Sequence, residues 1–287
     1  MRLAPGPGQG PALLFNNIKG YEGPAARCRR VFGNGLSSYR RVAMMLGLPP
    51  DTHPRELVKI GRNLVNDRIP PRIVKTGPVK ENVLTGDKID LFDFPSPQWN
   101  RIDGGRYILT YGGVVTKDPV TGVMNVGLYR GMVADRDKIP ILMWRAQHVG
   151  QHATAWESTG PSRMPIAVVI GWEPTHGFVG GAPVAKGVCE YDVMGAIRGE
   201  PVDLVKCETN DLYVPATAEI VIEGYLDLDP STYVMEGPFA EFTGYLAGDR
   251  SPKPAIHVTA ITHRNDPILH GSIEGSLPGS FSENAVC

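Results

Sequence analysis

The stretch VMNVGLYRGMVA, residues 123–134, combines a run of apolar strand formers with an amide and a guanidinium. Side chains alternate faces along a regular strand. Asn125 and Arg130 are five positions apart, which places them on opposite faces. Gly127 between them can mark a bulge or a close backbone approach, and either would bring both side chains to one side. The alternative is that Asn125 caps a turn and Arg130 is a solvated strand residue.

Segments of similar β character lie on both sides of this stretch. The predicted strands are RYILTYGGVVT, VMNVGLYRGMVA, IPILMWRA, PIAVVIGW, HGFVGGAPVA, PVDLVKCE, AEIVIEGYL and AIHVTAITH. Two helical patterns interrupt them, QHVGQHATAWEST and YDVMGAIRGE. Many strands with few helices between them predict a mostly antiparallel sheet or barrel rather than an alternating strand and helix array.

The first third of the chain has a different pattern. One strand, ALLFNNI, precedes two amphipathic helices, GLSSYRRVAMMLGLPP with Ser37 or Ser38 as a cap and HPRELVKIGRNLV with Pro54 in its first turn. From about residue 74 to residue 105 the sequence is a connector rich in Pro, Asp and Gly. We therefore predict an N-terminal α/β region and linker over residues 1–105, and a second domain over residues 106–287.

Composition excludes several classes of partner. The 29 basic and 30 acidic residues give a net charge of -1, so neither nucleic acid nor an anionic membrane is predicted to bind. Four separated cysteines form no CxxC pair, which favours a reducing cytoplasm. Gly and Pro break the N-terminal segment, against a signal peptide, and no apolar run reaches the ~20 residues that span a bilayer. These features predict a cytoplasmic protein.

The helical pattern MWRAQHVGQHATAW carries two histidines on one face. His148 and His152 are spaced i, i+4, as in a zinc-protease helix. The residue after the first histidine is Val149, where that motif requires a general base, and Gly150 weakens the helix. A hydrogen-bonded packing role is therefore the alternative for each histidine, and we assign it to His152.

An acidic residue lies at the junction of a strand and a helix in APVAKGVCEYDVMGAI. Glu190 immediately precedes the helical pattern, where a carboxylate can complement the helix N-terminus by roughly 0.3–1 kcal/mol. Asp192 could serve that purpose equally well. Glu190 is therefore available for another role.

Two further carboxylates lie in the segment MEGPFAEFTGY. Glu236 and Glu241 are five residues apart with Gly237 and Pro238 between them, which predicts a shaped loop rather than a helix. Nearby aromatic residues could partly desolvate the pair. Burial raises a carboxyl pKa and a nearby Arg lowers it, so one carboxylate could stay ionised while the other holds a proton to donate. The alternative is a solvated acidic turn.

These stretches, taken in order, resemble the UbiD family of decarboxylases, which includes ferulic acid decarboxylase and several aromatic acid decarboxylases. The resemblance rests on GPALLFNNIKGY, DGGRYI, NVGLYR, AQHVGQHATAW, VKCETNDLYVPATAEIVIEG, EGPFAEFTGY and GSFSENAVC. It implies an α+β fold, with an N-terminal α/β region followed by a flavin-binding split β-barrel-like domain. Family members continue into a C-terminal oligomerisation domain, and this sequence ends at Cys287. We therefore expect that domain to be absent, so that the chain is a fragment or is completed by a second polypeptide.

The resemblance also implies a cofactor, prenylated FMN (prFMN), with a manganese-type divalent ion at its phosphate. Asn125, His148 and Glu190 match the family's metal ligands, and their donor atoms suit Mn²⁺ or Mg²⁺ better than a thiolate-preferring metal. The family's flavin-binding residues correspond to Asn125, Val126, Gly127, Leu128, Tyr129, Arg130, Gln147, His148 and Glu190. A potassium ion is expected as well.

The family's catalytic group corresponds to Arg130, Glu236 and Glu241. In that reading Arg130 orients the substrate carboxylate, Glu236 positions Arg130, and Glu241 donates the proton that replaces CO₂. The implied reaction is non-oxidative decarboxylation of an aromatic or α,β-unsaturated acid, in either direction. The implied partners are a prenyl-flavin synthase and further copies of the chain or a second chain.

Two other functions remain open from the sequence. A reductase-like barrel that uses ordinary FMN would explain the strands and leave Glu236 and Glu241 without a role. A non-catalytic subunit or fragment of a multi-chain carboxylase would explain the expected absence of the C-terminal domain.

Overall fold

The computed structural model describes residues 10–23, 26–64, 66–160, 162–243 and 245–274. The motif GSFSENAVC lies outside the described residues. The strands are β1 Leu13–Phe15, β2 Arg30–Gly33, β3 Arg72–Ile73, β4 Asn82–Thr85, β5 Tyr107–Leu109, β6 Gly113–Lys117, β7 Met124–Leu128, β8 Gly131–Met132, β9 Lys138–Pro140, β10 Arg163–Ile170, β11 Asp203–Lys206, β12 Tyr213–Pro215, β13 Ile220–Asp227, β14 Val234–Glu236, β15 Ser251–Lys253, β16 Ala255–His263 and β17 Ile268–His270.

Five α-helices accompany the strands within the described ranges. They are α1 Tyr39–Met45, α2 Pro54–Leu64, α3 His148–Thr159, α4 Thr175–Gly180 and α5 Glu190–Arg198. Helix α5 ends where Gly199 takes a left-handed conformation with φ 76° that favours glycine. Short 3₁₀ turns span Pro78–Lys80, Gly86–Lys88, Leu91–Asp93 and Pro230–Thr232.

The largest sheet has seven strands, all paired antiparallel. Its order is β4-β16-β13-β10-β6-β7, and β9 pairs with the other end of β16. The predicted mostly antiparallel sheet is confirmed, and the described strands form an open path rather than a closed ring. Smaller sheets join β1, β2 and β17, then β3, β11 and β12, and two further pairs join β14 to β15 and β5 to β8.

Strand β10 shows why this sheet lies between two apolar layers. Ile166, Val168 and Ile170 belong to one hydrophobic cluster, and Ala167 and Val169 belong to the other. Because side chains alternate across a strand, a strand that is apolar at every position must be covered on both faces. Helix α3 contributes to the first layer, and α4 and α5 contribute to the second.

Most predicted helices and strands are present. Their first and last residues differ from the prediction, and one predicted strand is a helix. The helices α1, α2, α3 and α5 and the first strand confirm the sequence patterns. RYILTYGGVVT and VMNVGLYRGMVA each divide into two strands, β5 with β6 and β7 with β8. The sequence patterns did not predict β2, β3, β12, β14, β15 and β17. These unpredicted strands are two to four residues long, too short to show a period of their own.

The prediction of a strand at HGFVGGAPVA is wrong, because this segment contains helix α4. A side chain at Gly177 would come within 2.2 Å of the Tyr111 ring, so the helix packs at a distance that only glycine permits. Tertiary packing of this kind overrides the strand propensity of Phe178 and Val179.

The predicted domain division at residue 105 stays a prediction. Strand β4, which precedes it, pairs with β16 in the large sheet, and β3 pairs with β11. The chain between α2 and residue 105 therefore contributes edge strands to two sheets whose other members come later in the chain.

Candidate active site

A cavity of ≈ 860 Å³ opens along β7 and receives both groups of predicted residues. Asn125 lies near the start of β7, and Arg130 lies two residues past its end. At about 3.3 Å per residue, five residues span at most ~16 Å, the length of an extended ligand. The cavity thus has two chemically different ends, joined by the backbone of β7.

Three polar side chains form the first end, and we call Asn125, His148 and Glu190 the helix-end cluster. His148 is the first residue of α3, and Glu190 is the first residue of α5. The Asn125 amide nitrogen lies 2.9 Å from His148 Nδ1 and donates to Glu190 Oε1 at 2.7 Å. The Val126 backbone N–H donates to Glu190 Oε2 at 2.7 Å. Residues distant in sequence thus meet at one point.

Two observations show that this cluster suits a cation. Asn125 Oδ1 is buried with no hydrogen-bond partner among the described residues. Burial raises the pKa of Glu190 to about 7, although hydrogen bonds from Val126 and Asn125 lower it. A divalent ion would accept the free oxygen lone pairs and compensate for the lost hydration of the carboxylate.

The donor set also limits the kind of ion. The described residues hold no group of three or more His, Cys, Asp and Glu side chains arranged for a metal. In the helix-end cluster, the amide oxygen of Asn125 is the donor available beside His148 and Glu190. Two oxygen donors and one imidazole nitrogen fit Mn²⁺ or Mg²⁺ and leave positions for phosphate or water. The residues present therefore fit the ion that the sequence resemblance implies.

Arg130, Glu236 and Glu241 form the other end, and we call them the ion-pair cluster. Arg130 Nε donates to Glu236 Oε1 and Nη2 donates to Glu236 Oε2, both at 2.9 Å. Arg130 Nη1 donates to Glu241 Oε1. The guanidinium carbon lies 5.3 Å from the centre of the Phe239 ring. Burial lowers the pKa of Arg130, but hydrogen bonds and charge from both carboxylates outweigh it and raise the pKa overall.

The two carboxylates of the ion-pair cluster are not equivalent. The Glu236 side chain is 1% exposed and holds Arg130 through both oxygens, whereas the Glu241 side chain is 26% exposed and holds it through one oxygen. Tyr107 also donates to Glu236 Oε1 at 2.7 Å. Glu236 is thus fixed. Glu241 can leave Arg130 without leaving a buried charge unpaired, because Arg130 keeps its two hydrogen bonds to Glu236.

Glycine shapes the wall between the two ends. The pairing of β6 with β7 continues through Gly127 without a shift of register, so the bulge considered from the sequence is not there. The close approach is there, because a side chain at Gly127 would come within 2.7 Å of the Tyr129 ring. Arg130 lies past the end of β7, at Leu128, where the alternation of side chains along the strand no longer applies, and its side chain lines the cavity.

All the predicted site residues except Glu236 line this cavity, and Glu236 contacts it through Arg130. His152, assigned to packing, lies outside it and shares a hydrogen bond of 2.9 Å with Thr116 Oγ1. The sequence patterns missed Tyr107 and the buried Glu274 on the cavity wall. Neither carries a signal in the sequence, since Tyr107 reads as a strand residue and Glu274 as a surface carboxylate.

A second cavity of ≈ 550 Å³ lies near α1 and β17, against Phe32, Trp172 and His270. It holds none of the predicted site residues. The chemistry predicted from the sequence is therefore confined to the cavity along β7.

Family models match most of the chain. Residues 72–277 match the 3-octaprenyl-4-hydroxybenzoate carboxy-lyase Rift-related domain, and residues 1–60 match the N-terminal domain of the same carboxy-lyase. The chain belongs to the UbiD family.

Relatives with named activities agree with this membership. The chain is 36% identical to a pyrrole-2-carboxylic acid decarboxylase of Pseudomonas aeruginosa over 93% of this chain and 54% of the relative. It is also 36% identical to ferulic acid decarboxylase 1 of Saccharomyces cerevisiae, over 92% of this chain and 54% of that protein. The chain thus spans about half the length of these relatives.

Solved structures share the fold. The vanillic acid decarboxylase of Sedimentibacter hydroxybenzoicus in its closed form aligns with a TM-score of 0.85 at 34% identity, over 96% of this chain and 57% of that one. An evolved dimeric form of the UbiD-class enzyme HmfF of Pelotomaculum thermopropionicum, in complex with prFMN, aligns with a TM-score of 0.83 at 33% identity, over 97% and 60%. The sequence resemblance to the UbiD family and its α+β fold are therefore confirmed.

Proposed function

We propose that this chain carries the cofactor and proton-transfer site of a prFMN-dependent decarboxylase for an aromatic or α,β-unsaturated carboxylic acid. One observation carries the proposal: Arg130 lies between two unequal carboxylates in a cavity whose other end suits a divalent cation. A flavin with a phosphate at one end and a reactive ring at the other would fill the space between them.

The helix-end cluster would hold Mn²⁺ or Mg²⁺ beside the cofactor phosphate. The N-termini of α3 and α5 both face this point, and helix N-termini favour anions. Residues 126–129 and Gln147 would contact the flavin, because all of them line the cavity. We also propose a potassium ion there, following the family resemblance.

The ion-pair cluster would bind the substrate and manage the proton. Arg130 would present its guanidinium to the substrate carboxylate, since a planar fork of donors matches a carboxylate. Glu236 would keep that fork in place, and Glu241 would give its proton to the carbon that loses CO₂. Bound prFMN supplies the electron sink. A positioned general acid typically raises the reaction rate by ~100-fold to 10,000-fold.

We propose that the working assembly contains more than one chain. Two proteins of similar structure support this: HmfF has an evolved dimeric form, and the vanillic acid decarboxylase ShVdcCD contains a separate component, ShVdcD. Homo-oligomerisation or a second polypeptide would close the cavity over the substrate, and a prenyl-flavin synthase would supply the cofactor. We further propose a cytoplasmic location; no described helix is long and apolar enough to cross a membrane.

The decisive experiment is expression of this chain with and without a prenyl-flavin synthase, followed by mass spectrometry of the bound cofactor. We expect prFMN with one equivalent of Mn²⁺ in the first case, and decarboxylation of at least one acid from a panel that includes pyrrole-2-carboxylic, ferulic and vanillic acids. If the chain binds ordinary FMN, and NAD(P)H reduces it rapidly without a metal, the protein is a reductase and the proposal is wrong. A chain that binds prFMN but neither decarboxylates any acid nor exchanges product protons with D₂O would be a non-catalytic subunit.

A further inference from the structure

The segment DGGRY, residues 103–107, lies directly against the loop that carries Glu236 and Glu241. We propose that Asp103 and Tyr107 are positioning residues that fix this loop, so that Glu236 stays on Arg130 while only the side chain of Glu241 is free to move. This inference rests on the proposed decarboxylase function. None of the roles assigned above to the cofactor, the metal or the proton uses this segment.

Asp103 fixes the backbone next to Glu241. Its Oδ1 accepts the N–H of Ala240 at 3.0 Å, and its Oδ2 accepts the N–H of Asn100 at 2.8 Å. Asp103 is 5% exposed, so these donors replace water around a buried carboxylate. Ala240 directly precedes Glu241, and a loss of Asp103 would leave that peptide N–H buried and unpaired.

Gly104 brings the two backbones together between these contacts. Its N–H donates to the Pro238 carbonyl at 2.8 Å. A side chain at Gly104 would come within 2.0 Å of the Gly237 carbonyl oxygen, which no small adjustment could relieve. The segment therefore follows the loop at backbone contact distance.

Tyr107 fixes the carboxylate at the other end of the loop. It is fully buried, donates to Glu236 Oε1 at 2.7 Å and lies 3.3 Å from the Pro238 carbonyl. Burial, followed by the hydrogen bond to Glu236, raises the pKa of Tyr107 well above its usual range. The hydroxyl consequently stays protonated and remains a donor. Its ring packs on Phe239 with centroids 4.4 Å apart.

These contacts explain how one loop can hold a fixed and a movable carboxylate. Glu236 receives three donors, two from Arg130 and one from Tyr107, which occupy three of the about four acceptor sites of a carboxylate. Glu241 receives one donor from Arg130, while its backbone N–H bonds to the Tyr245 carbonyl at 2.9 Å. The backbone is therefore held at the N–H groups of Ala240 and Glu241, whereas the Glu241 side chain is held by Arg130 alone.

The test compares Tyr107→Phe, Asp103→Asn and Asp103→Ala with a control, Tyr225→Phe, in the prFMN-loaded chain. Tyr225 lies in β13, stacks on His257 with ring centroids 5.0 Å apart, and does not line the cavity. Loss of one hydrogen bond to a charged group lowers a rate by about 10-fold to 100-fold. We expect kcat to fall ~10-fold in Tyr107→Phe and further in Asp103→Ala, with Asp103→Asn between wild type and Asp103→Ala, and KM within about 2-fold throughout.

Hydrogen–deuterium exchange of peptides covering residues 237–243 provides a readout that does not need turnover. Faster exchange in both Asp103 variants, with the control unchanged, would support the inference. An unchanged exchange rate at Ala240, or an unchanged kcat in Tyr107→Phe and Asp103→Ala, would overturn it. If the wild-type chain binds prFMN without turnover, the proposed function fails, and the exchange rates alone decide whether the loop is fixed in this way.

Discussion

The helix-end cluster and the ion-pair cluster share one cavity but differ in how far their own atoms satisfy one another. In the first, one buried carboxylate has no Arg or Lys beside it, and Asn125 Oδ1 has no hydrogen-bond partner among the described residues. In the second, a guanidinium pairs with two carboxylates, and Tyr107 also donates to one of them. The first cluster therefore has donor atoms available for an added cation, whereas the charged groups of the second cluster already pair with one another.

This difference has a physical consequence for binding. A buried carboxylate without a cation is costly, so the helix-end cluster gains stability when a metal and phosphate arrive. In the proposed function, a substrate carboxylate would displace Glu241 from Arg130 rather than Glu236, because Glu236 is held by Arg130 and Tyr107. Cofactor binding and substrate binding should then respond to different mutations.

The strongest way to break this comparison is to remove the ligands of the helix-end cluster. We expect each of three variants, Asn125→Ala, His148→Ala and Glu190→Ala, to weaken Mn²⁺ binding by more than ~100-fold. Mutation of a residue that only hydrogen-bonds to a metal ligand already lowers metal affinity by about 10-fold to 100-fold. Metal analysis and flavin absorbance of the purified variants measure the effect. Asp192→Asn, two residues along α5, should keep both. Retention of metal and flavin in all three alanine variants would contradict the assignment.

A smaller effect is expected at the other end, in Glu241→Gln. The variant cannot donate a carboxylic proton, so turnover should fall by ~100-fold to 10,000-fold while metal and prFMN content stay at the wild-type level. Rates with the most active acid of the panel, together with cofactor content, measure both parts. Asp249→Asn, an exposed residue of the same loop, is the matched control. Loss of cofactor in Glu241→Gln would mean that the two ends are not independent.

The smallest effect is expected from the wall between the ends. Gly127→Ala would force the Tyr129 ring to move, because the new methyl would lie 2.7 Å from it, and overpacking of this kind costs about 1–3 kcal/mol. We expect lower thermal stability and flavin affinity that falls by ~10-fold. Gly61→Ala in α2, whose nearest neighbour would be 3.5 Å away, should be neutral or stabilising. Equal melting temperatures in the two variants would show that Tyr129 adapts freely.

The sequence predicted the identity of these residues better than their arrangement. Five residues stand out in the sequence as candidate site residues, because each has a Gly, a Pro or the end of a helix or strand beside it. They are Asn125, Arg130, Glu190, Glu236 and Glu241. Their convergence depends on pairings over 60 to 110 residues, such as Asn125 with Glu190 and Arg130 with Glu241. No local sequence pattern predicts contacts between residues so far apart in the chain. Only the resemblance to a family placed these residues in one site.

Local patterns failed where packing, rather than propensity, determined the structure. Helix α4 was predicted as a strand because its Phe and Val favour β structure, and the glycines that allow it to pack on Tyr111 gave no positive signal. Tyr107 was indistinguishable from any buried strand residue until its hydroxyl was located on Glu236. Short edge strands such as β3 exist only because a partner strand is already formed.

The pairing of β4 with β16 has a consequence for how the chain acquires its fold. Leu84 in β4 pairs with Ile261 in β16, so this edge strand waits for a partner that is synthesised 177 residues later (261 - 84). Long-range pairings of this kind close large loops and slow folding. At a synthesis rate of about 5–20 residues per second, β4 would remain unpaired for roughly ten to forty seconds. Nascent chains of this protein are therefore expected to depend on chaperones during that interval more than a helical protein of the same length.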